Sequence, residues 1–339
     1  MENNLLCRYE NARSKNLNFF KFLAAIAVIV SHAYPLSKGE AYKDFLLNIS
    51  GQSLGLGGLA VSVFFVSSGF FVTKSINKDS NIKNYFIKRI KKIFPPLWIV
   101  LIFVIVICFL FFSDVRFSSY NLGKSLLYCL NFLLIPVHSL PGVFINNAYP
   151  KVINGALWTL PIEFFCYTIL AVLMFFKLFT KKNYVLFSIF TLFSFIMVNF
   201  CPIQMITLLK DYLMPIFMFF WGSFYWIYRD KIVLSKNLFI GAFILFIISI
   251  VMNIGNIGLF LFFPYILLYA SFNMNQVPAF LSNLGNYSYG IYLCGWPIQQ
   301  MIVSLFGGNM SIILNCVFAI PLSIICGVLI YYFVEKRMI

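Results

Sequence analysis

Apolar residues run along this chain in long tracts rather than alternating or marking one helix face, so the pattern predicts helices that are greasy on every side. Ten tracts stand out, at about 17–35, 56–73, 94–113, 155–176, 184–202, 212–228, 237–254, 256–272, 288–306 and 311–334. A helix needs roughly 20 apolar residues to cross a bilayer. A further apolar stretch, 125–137, has only 13 residues and is too short for a crossing. It reads as a re-entrant or non-spanning segment, which is tolerated at depth where protein or a water-filled cavity covers it. The expected fold is all-α: a polytopic membrane helix bundle of about ten transmembrane helices plus that short segment. No repeat, low-complexity run or linker divides it, so 1–339 reads as one integral membrane domain. The first tract lacks a small-residue cleavage pattern and reads as an anchored helix rather than a removable signal.

Composition narrows the class. The 339 residues are 61% hydrophobic and 10% charged, whereas a soluble domain is roughly a quarter charged. A net charge of +15 would suggest nucleic acid in a soluble protein. Here the positive residues gather on one set of loops, as membrane topology requires. Arg8, Arg13, Lys15 and Lys21, the run Lys74 to Lys92, the group Lys177, Lys181 and Lys182, then Arg229, Lys231, Lys236, Lys336 and Arg337 make 19 of the 25 basic residues. Only Lys38, Lys43, Arg116, Lys124, Lys151 and Lys210 fall on the other side. This asymmetry places both termini in the cytoplasm and requires 125–137 not to cross. Eight cysteines without a CxxC pair and only two histidines predict neither a zinc site nor a disulfide framework.

Ionisable groups inside apolar tracts are costly and are therefore candidates for function. They are Lys21, His32 and Glu163, with Asp211 at a boundary. Lys21 and His32 lie eleven residues apart on one predicted helix. They share a face and stand about 16 Å apart along the axis. Imidazole is the one side chain among them whose ordinary pKa lies near neutrality. Lys21 has a second reading, as a side chain snorkelling to the inner headgroups. Glu163 has no charge partner in sequence and needs one from another helix. Lys88, Arg89, Lys91 and Lys92 crowd the start of a helix just before Pro95 and Pro96. Such a cluster serves either as a topology anchor or as a cradle for a polyphosphate.

These residues resemble the acyltransferase-3 family of integral membrane O-acyltransferases, bacterial surface-glycan O-acetyltransferases among them. Lys21 and His32 match its Arg/Lys-x10-His motif. Ser67-Ser68-Gly69-Phe70 is similar to its second-helix signature, and Phe86 to Pro95, with Arg89 and Lys92, to its basic motif. Leu157-Trp158-Thr159-Leu160-Pro161-Ile162-Glu163-Phe164-Phe165-Cys166-Tyr167 resembles its Trp-x-Leu-x-x-Glu-x-x-x-Tyr segment. The stretch from Leu284 through Tyr289 to Leu293 and the terminal Phe333-Val334-Glu335-Lys336 complete the series in family order. Many members carry Asp at Ser62, Arg at Lys92 and His at Gly295.

The resemblance implies an enzyme that takes an acyl group, acetyl in the usual case, from cytoplasmic acyl-CoA. The acceptor would be a hydroxyl of a cell-surface polysaccharide or its lipid-linked precursor. His32 would act as general base and Glu163 would support its imidazole, the two facing one cavity in the outer half of the bundle. Lys21, Lys88, Arg89 and Lys92 would hold the donor. Ser68, Trp158 and Tyr289 would serve the acceptor or the structure. The implied partners are acyl-CoA as a donor substrate rather than a resident cofactor, the carbohydrate acceptor and membrane lipid, with no metal and no nucleic acid. The implied location is the bacterial cytoplasmic membrane. The alternative is a transporter or flippase for a surface-glycan intermediate, since such proteins also carry intramembrane His and Glu.

Overall fold

The computed structural model describes residues 5–10, 14–79, 81–113, 122–178, 180–200 and 204–338; Arg13, Arg116 and Cys201 lie outside them. In chain order the helices are α1 (Lys15–Lys38), α2 (Phe45–Ile49), α3 (Leu56–Lys78), α4 (Ile82–Phe111), α5 (Leu122–Tyr128) and α6 (Thr159–Phe175). They continue with α7 (Lys181–Phe200), α8 (Gln204–Ile227), α9 (Lys236–Val251), α10 (Gly255–Leu261) and α11 (Phe263–Phe272). Last come α12 (Ala279–Leu284), α13 (Ser288–Leu305), α14 (Ile312–Ile330) and α15 (Lys336–Met338). Among the described residues no strand occurs beyond two isolated bridges.

Among the described residues each apolar tract is mainly helical, and the protein is an all-α multi-pass membrane bundle. Among the described residues, six helices are long and apolar enough to cross a membrane: α1, α3, α4, α6 with its lead-in from Gly155, α7, and α14 with its extension to Met338. The pair α10 and α11, bent by 49°, makes a seventh if counted as one span. The expected count of ten is therefore not what length and composition support. Helix α9 has only 16 residues, α8 carries Lys210 and Asp211, and α13 carries Gln299 and Gln300. Helix α9 is apolar but short, whereas α8 and α13 fall short through their polar residues.

Polar contacts gather the lysine-rich loops at one end. Arg229 pairs with Glu10 at 3.3 Å, Lys181 pairs with Asp230, and Lys74 donates to the Glu10 carbonyl. At the opposite end the Met310 amide donates to the Ser37 carbonyl at 3.3 Å, and the Ala148 amide to that of Gly308 at 2.6 Å.

The stretch 125–137 falls on α5 and the tight turn Cys129–Leu133, and ends at Leu134 with φ 62°. Asn131 closes it, donating to the carbonyls of Tyr128 at 2.7 Å and Val137 at 2.8 Å. The Trp98 indole of α4 donates to the Phe132 carbonyl at 3.0 Å, and a bridge joins Ser113 to Val143. The segment thus packs against the middle of α4.

The chain that does descend into the bundle lies further on. Asn147 donates to the Gln300 side-chain oxygen at 2.7 Å, and Gln300 donates to the carbonyls of Tyr149 at 2.8 Å and Val152 at 2.7 Å. Asn154 donates to the Leu293 carbonyl at 3.0 Å, and Tyr292 to that of Ala156 at 2.9 Å. Residues 147–156 therefore run antiparallel down α13, and protein covers most of their non-helical backbone apart from the exposed Pro150 and Lys151.

Close backbone approach joins α3 to α8. A Cβ on Gly69 would lie 1.9 Å from the Phe219 carbonyl oxygen, and one on Gly222 would lie 2.1 Å from that of Val66. Small residues at such crossings supply the van der Waals contact that drives helix association where water cannot.

Two outcomes follow from this packing. Replacing Gly222 with Leu should destabilise the bundle by about 1–3 kcal/mol, read as a lower thermal midpoint in detergent. Gly241→Ala, where an added Cβ meets nothing within 4 Å, should leave that midpoint unchanged or slightly raised. Single cysteines replacing the exposed Lys124 and Lys151 should both react with an impermeant maleimide from the same face of a sealed vesicle. Labelling from opposite faces would mean that the intervening chain crosses.

Candidate active site

Two cavities meet inside the bundle. The larger, about 800 Å³, opens among α1, α3, α4, α6 and α13. Its wall carries five cations, Lys21, Lys88, Arg89, Lys91 and Lys92, against two carboxylates, Glu163 and Glu335. The smaller, about 530 Å³, lies toward the opposite end and is lined by both histidines of the chain, His32 and His138. Val61 and Tyr292 belong to both linings.

Helix α4 builds the cationic wall. It starts at Asn81, whose side chain accepts from the Asn84 amide at 3.1 Å. Its first three turns carry the basic residues before Pro95 and Pro96. Lys88 is partly engaged by Asp79 at 3.2 Å. The Arg89 guanidinium lies over the rings of Tyr85 and Tyr167, at 5.8 and 5.6 Å from their centroids, and its Nε is buried without a partner. Lys21 lies 5.6 Å over the Phe71 ring, with its ammonium turned to this cavity.

Glu163 belongs to the same cavity. Ser68 donates to its Oε1 at 2.9 Å, Tyr167 donates to the same oxygen, and the Lys92 ammonium stands 3.8 Å away. The Lys92 side chain is 48% exposed, so this ion pair contributes about 0–1 kcal/mol. Hydrogen bonds to a charged group contribute roughly 1.5–3 kcal/mol each. The two hydroxyls therefore fix the carboxylate, and the lysine follows it. Tyr289, also on this wall, donates to the Ile93 carbonyl at 2.9 Å and ties α13 to α4.

His32 and Glu163 do not share a cavity. The expectation failed because α6 begins deep in the bundle: its lead-in follows the descending chain and starts at the level of Tyr292. Glu163, two turns farther on, is carried toward the lysine-rich end. His32 faces the other way along the axis. Its ring meets the edge of Trp296 with centroids 4.7 Å apart, and no described residue hydrogen-bonds to it. Trp296 is itself seated by Val152, whose carbonyl accepts from the indole at 3.2 Å. Gly155 makes room for it, since a Cβ there would lie 2.6 Å from the indole.

The carboxylate next to His32 is Asp44, which is buried. It accepts from Ser31 Oγ at 2.7 Å, from the Leu47 amide at 3.0 Å and from the Leu56 amide at 3.1 Å. One side chain thus caps α2 and α3 and reaches the residue beside His32. Its N-cap position before an apolar run was legible in the sequence; its contact with α1 was not. His138 accepts from the Ile153 amide at 2.7 Å through its carbonyl, and its ring Nδ1 lies 3.0 Å from the Asn154 carbonyl. Trp158 lines the smaller cavity and packs edge-on against Tyr212, centroids 5.4 Å apart.

A family model described as an acyltransferase domain matches residues 14–332. The chain belongs to the acyltransferase-3 family. The match runs from the cap of α1 to just past α14 and takes in all of the smaller cavity's lining and all of the larger one's except Glu335 and Met338. The chain is similar to the O-acetyl transferase of Shigella phage Sf6, 30% identical over 154 residues, which is 45% of this chain and 43% of that protein. It is also similar to Nodulation protein 10 of Rhizobium leguminosarum bv. viciae, 28% identical over 183 residues, 49% of this chain and 46% of that protein. The chain spans somewhat under half the length of these curated relatives. No solved structure matches it.

Within this acyltransferase-3 domain the departures from the usual motif have local causes. Ser62 is buried against its own helix, donating to the Gly58 carbonyl at 2.8 Å. At Gly295 a Cβ would lie 2.8 Å from Ile29 Cγ1, so a histidine there would push α1 away.

Asp44→Ala should cost about 1–2 kcal/mol of stability through the lost caps. Asp44→Asn, which keeps an acceptor, should recover most of it in a thermal melt.

Proposed function

We propose that this protein is a membrane O-acyltransferase that takes an acetyl group from acetyl-CoA at the cationic cavity. It passes that group to a hydroxyl of a cell-surface polysaccharide, or of its lipid-linked precursor, at the His32 cavity. The observation that carries this reading is that the two cavities adjoin at Val61 and Tyr292. Family membership and the likeness to an O-acetyl transferase support the acyl chemistry.

The chemistry of each wall supports its assignment. Five cations against two carboxylates favour a polyanion, and the Arg89 guanidinium among them has the fork geometry that suits a phosphate. The lysine-rich loops at this end support a cytoplasmic side for this cavity, where acyl-CoA resides, in the proposed setting of a bacterial cytoplasmic membrane. The opposite cavity combines the Trp158 and Tyr212 rings with polar groups such as Gln52 and Asn256. An aromatic face with dispersed amides suits a sugar ring.

In the proposed step the acceptor hydroxyl oxygen forms a bond to the thioester carbonyl carbon while His32 takes its proton. The tetrahedral adduct collapses, the C–S bond breaks, and the leaving thiolate receives the proton from His32. The products are an ester and free CoA. Asp44, through its charge near the imidazole, supports the transient imidazolium. Glu163, with Ser68, Tyr167 and Lys92, shapes the donor wall instead.

Purified protein in membranes, supplied with acetyl-CoA and the glycan acceptor, tests this directly. His32→Ala should lower transfer by about 10²–10⁴-fold while the protein still inserts. Arg89→Gln should raise KM for acetyl-CoA with little change in kcat. Glu163→Gln should weaken donor use, and its effect should add to that of His32→Ala, because the two groups occupy separate cavities. Movement of a glycan intermediate across vesicles without any acetyl-CoA consumption would instead identify a flippase.

A further inference from the structure

Val61 and Tyr292 are the two residues common to both cavity linings, so together they form the partition between them. Their placement follows from helix geometry. Val61 precedes Ser68 by seven residues on α3, on the same face and about 10 Å farther along. On α6, Thr159 precedes Glu163 by one turn, about 6 Å. On α13, Trp296, which contacts His32, lies one turn beyond Tyr292. The partition therefore stands between the level of Glu163 and the level of His32.

Tyr292 is held at three points. Its hydroxyl donates to the Ala156 carbonyl at 2.9 Å and lies 2.7 Å from Thr159 Oγ1. Its ring packs edge-on to Phe64 with centroids 5.9 Å apart. The side chain is 8% exposed. Swinging it aside strips the buried hydroxyl of its partners and leaves the Ala156 carbonyl only the longer bond from Thr159 Oγ1 at 3.3 Å, which is costly. A passing group must therefore slip past a ring that stays in place, with Val61 on the facing wall.

We propose that Tyr292, with Val61 opposite, selects the acyl group by size. A thin pantetheine arm bearing a short acyl group threads the partition toward His32, and longer acyl chains are held back. This rests on the acyltransferase reading above. In an apolar constriction one methylene changes discrimination by about 10–200-fold, so the partition suffices to favour acetyl over longer donors.

The test compares kcat/KM for acetyl-CoA, butyryl-CoA and hexanoyl-CoA in the wild type and in Tyr292→Ala, Tyr292→Phe and Val61→Ala. Tyr292→Ala should raise the hexanoyl-to-acetyl ratio by about tenfold or more. Tyr292→Phe, which keeps the ring but loses its hydroxyl anchors, should raise the ratio less than Tyr292→Ala does. Val61→Ala opens the facing wall by two methyl groups and should raise the ratio in the same direction, and it carries the test if Tyr292→Ala does not fold. An unchanged ratio in folded variants that still transfer acetyl overturns the size filter and leaves the acyltransferase reading intact. A wild type that consumes none of the three donors removes the acyltransferase reading, and the size filter with it.

Discussion

The structure depends on supplying partners to an irregular stretch of backbone that runs along α13 into an apolar bundle. Residues 147–156 leave the loop region and run down α13 without helical hydrogen bonds of their own. In a medium without water each unpaired amide or carbonyl would cost several kcal/mol. Helix α13 meets that demand with Gln300, Trp296 and Tyr292 and with the carbonyl of Leu293. It also binds α1 through Gln299, which donates to the Ile29 carbonyl at 2.8 Å, and α14 through Asn315 at 3.0 Å.

Most of the site geometry follows from that one arrangement. The descending chain delivers α6 to the middle of the bundle, which sets Glu163 near Lys92 and away from His32. The same face of α13 presents Trp296 to His32 and Tyr292 to Thr159, so one helix contributes a wall to both cavities. The polar residues that make α13 useful also lower its hydropathy. A helix at the centre of the assembly consequently looks less like a membrane span than the lipid-facing helices around it.

The two carboxylates of the site are stabilised in different ways. Glu163 receives two hydroxyls and a half-exposed ammonium, so it is a fixed charge on an otherwise cationic wall. Asp44 receives two backbone amides and Ser31, so it joins α1, α2 and α3 near the opposite end. The larger cavity adds Glu335, whose Oε1 is buried without a partner among the described residues, while the lining of the smaller includes Asp211 and Asp44 stands behind it near His32. The arrangement suits two substrates approaching from opposite ends better than a single catalytic cluster.

By itself the sequence determined whatever depends on composition and local helical geometry. The all-α membrane bundle, the shared helix of Lys21 and His32 and the crowding of cations before Pro95 were all legible. So were the motifs that assign the chain to its family. Only the tertiary structure decided which acid stands near which base, that α6 starts at depth, and that Tyr292 separates two cavities. Those features rest on contacts between residues more than a hundred positions apart, such as Tyr292 with Thr159 and Asn154 with Leu293. Helical periodicity fixes the face on which a side chain lies, but not the height at which one helix meets another. That height is set by backbone groups finding partners where no water can reach them.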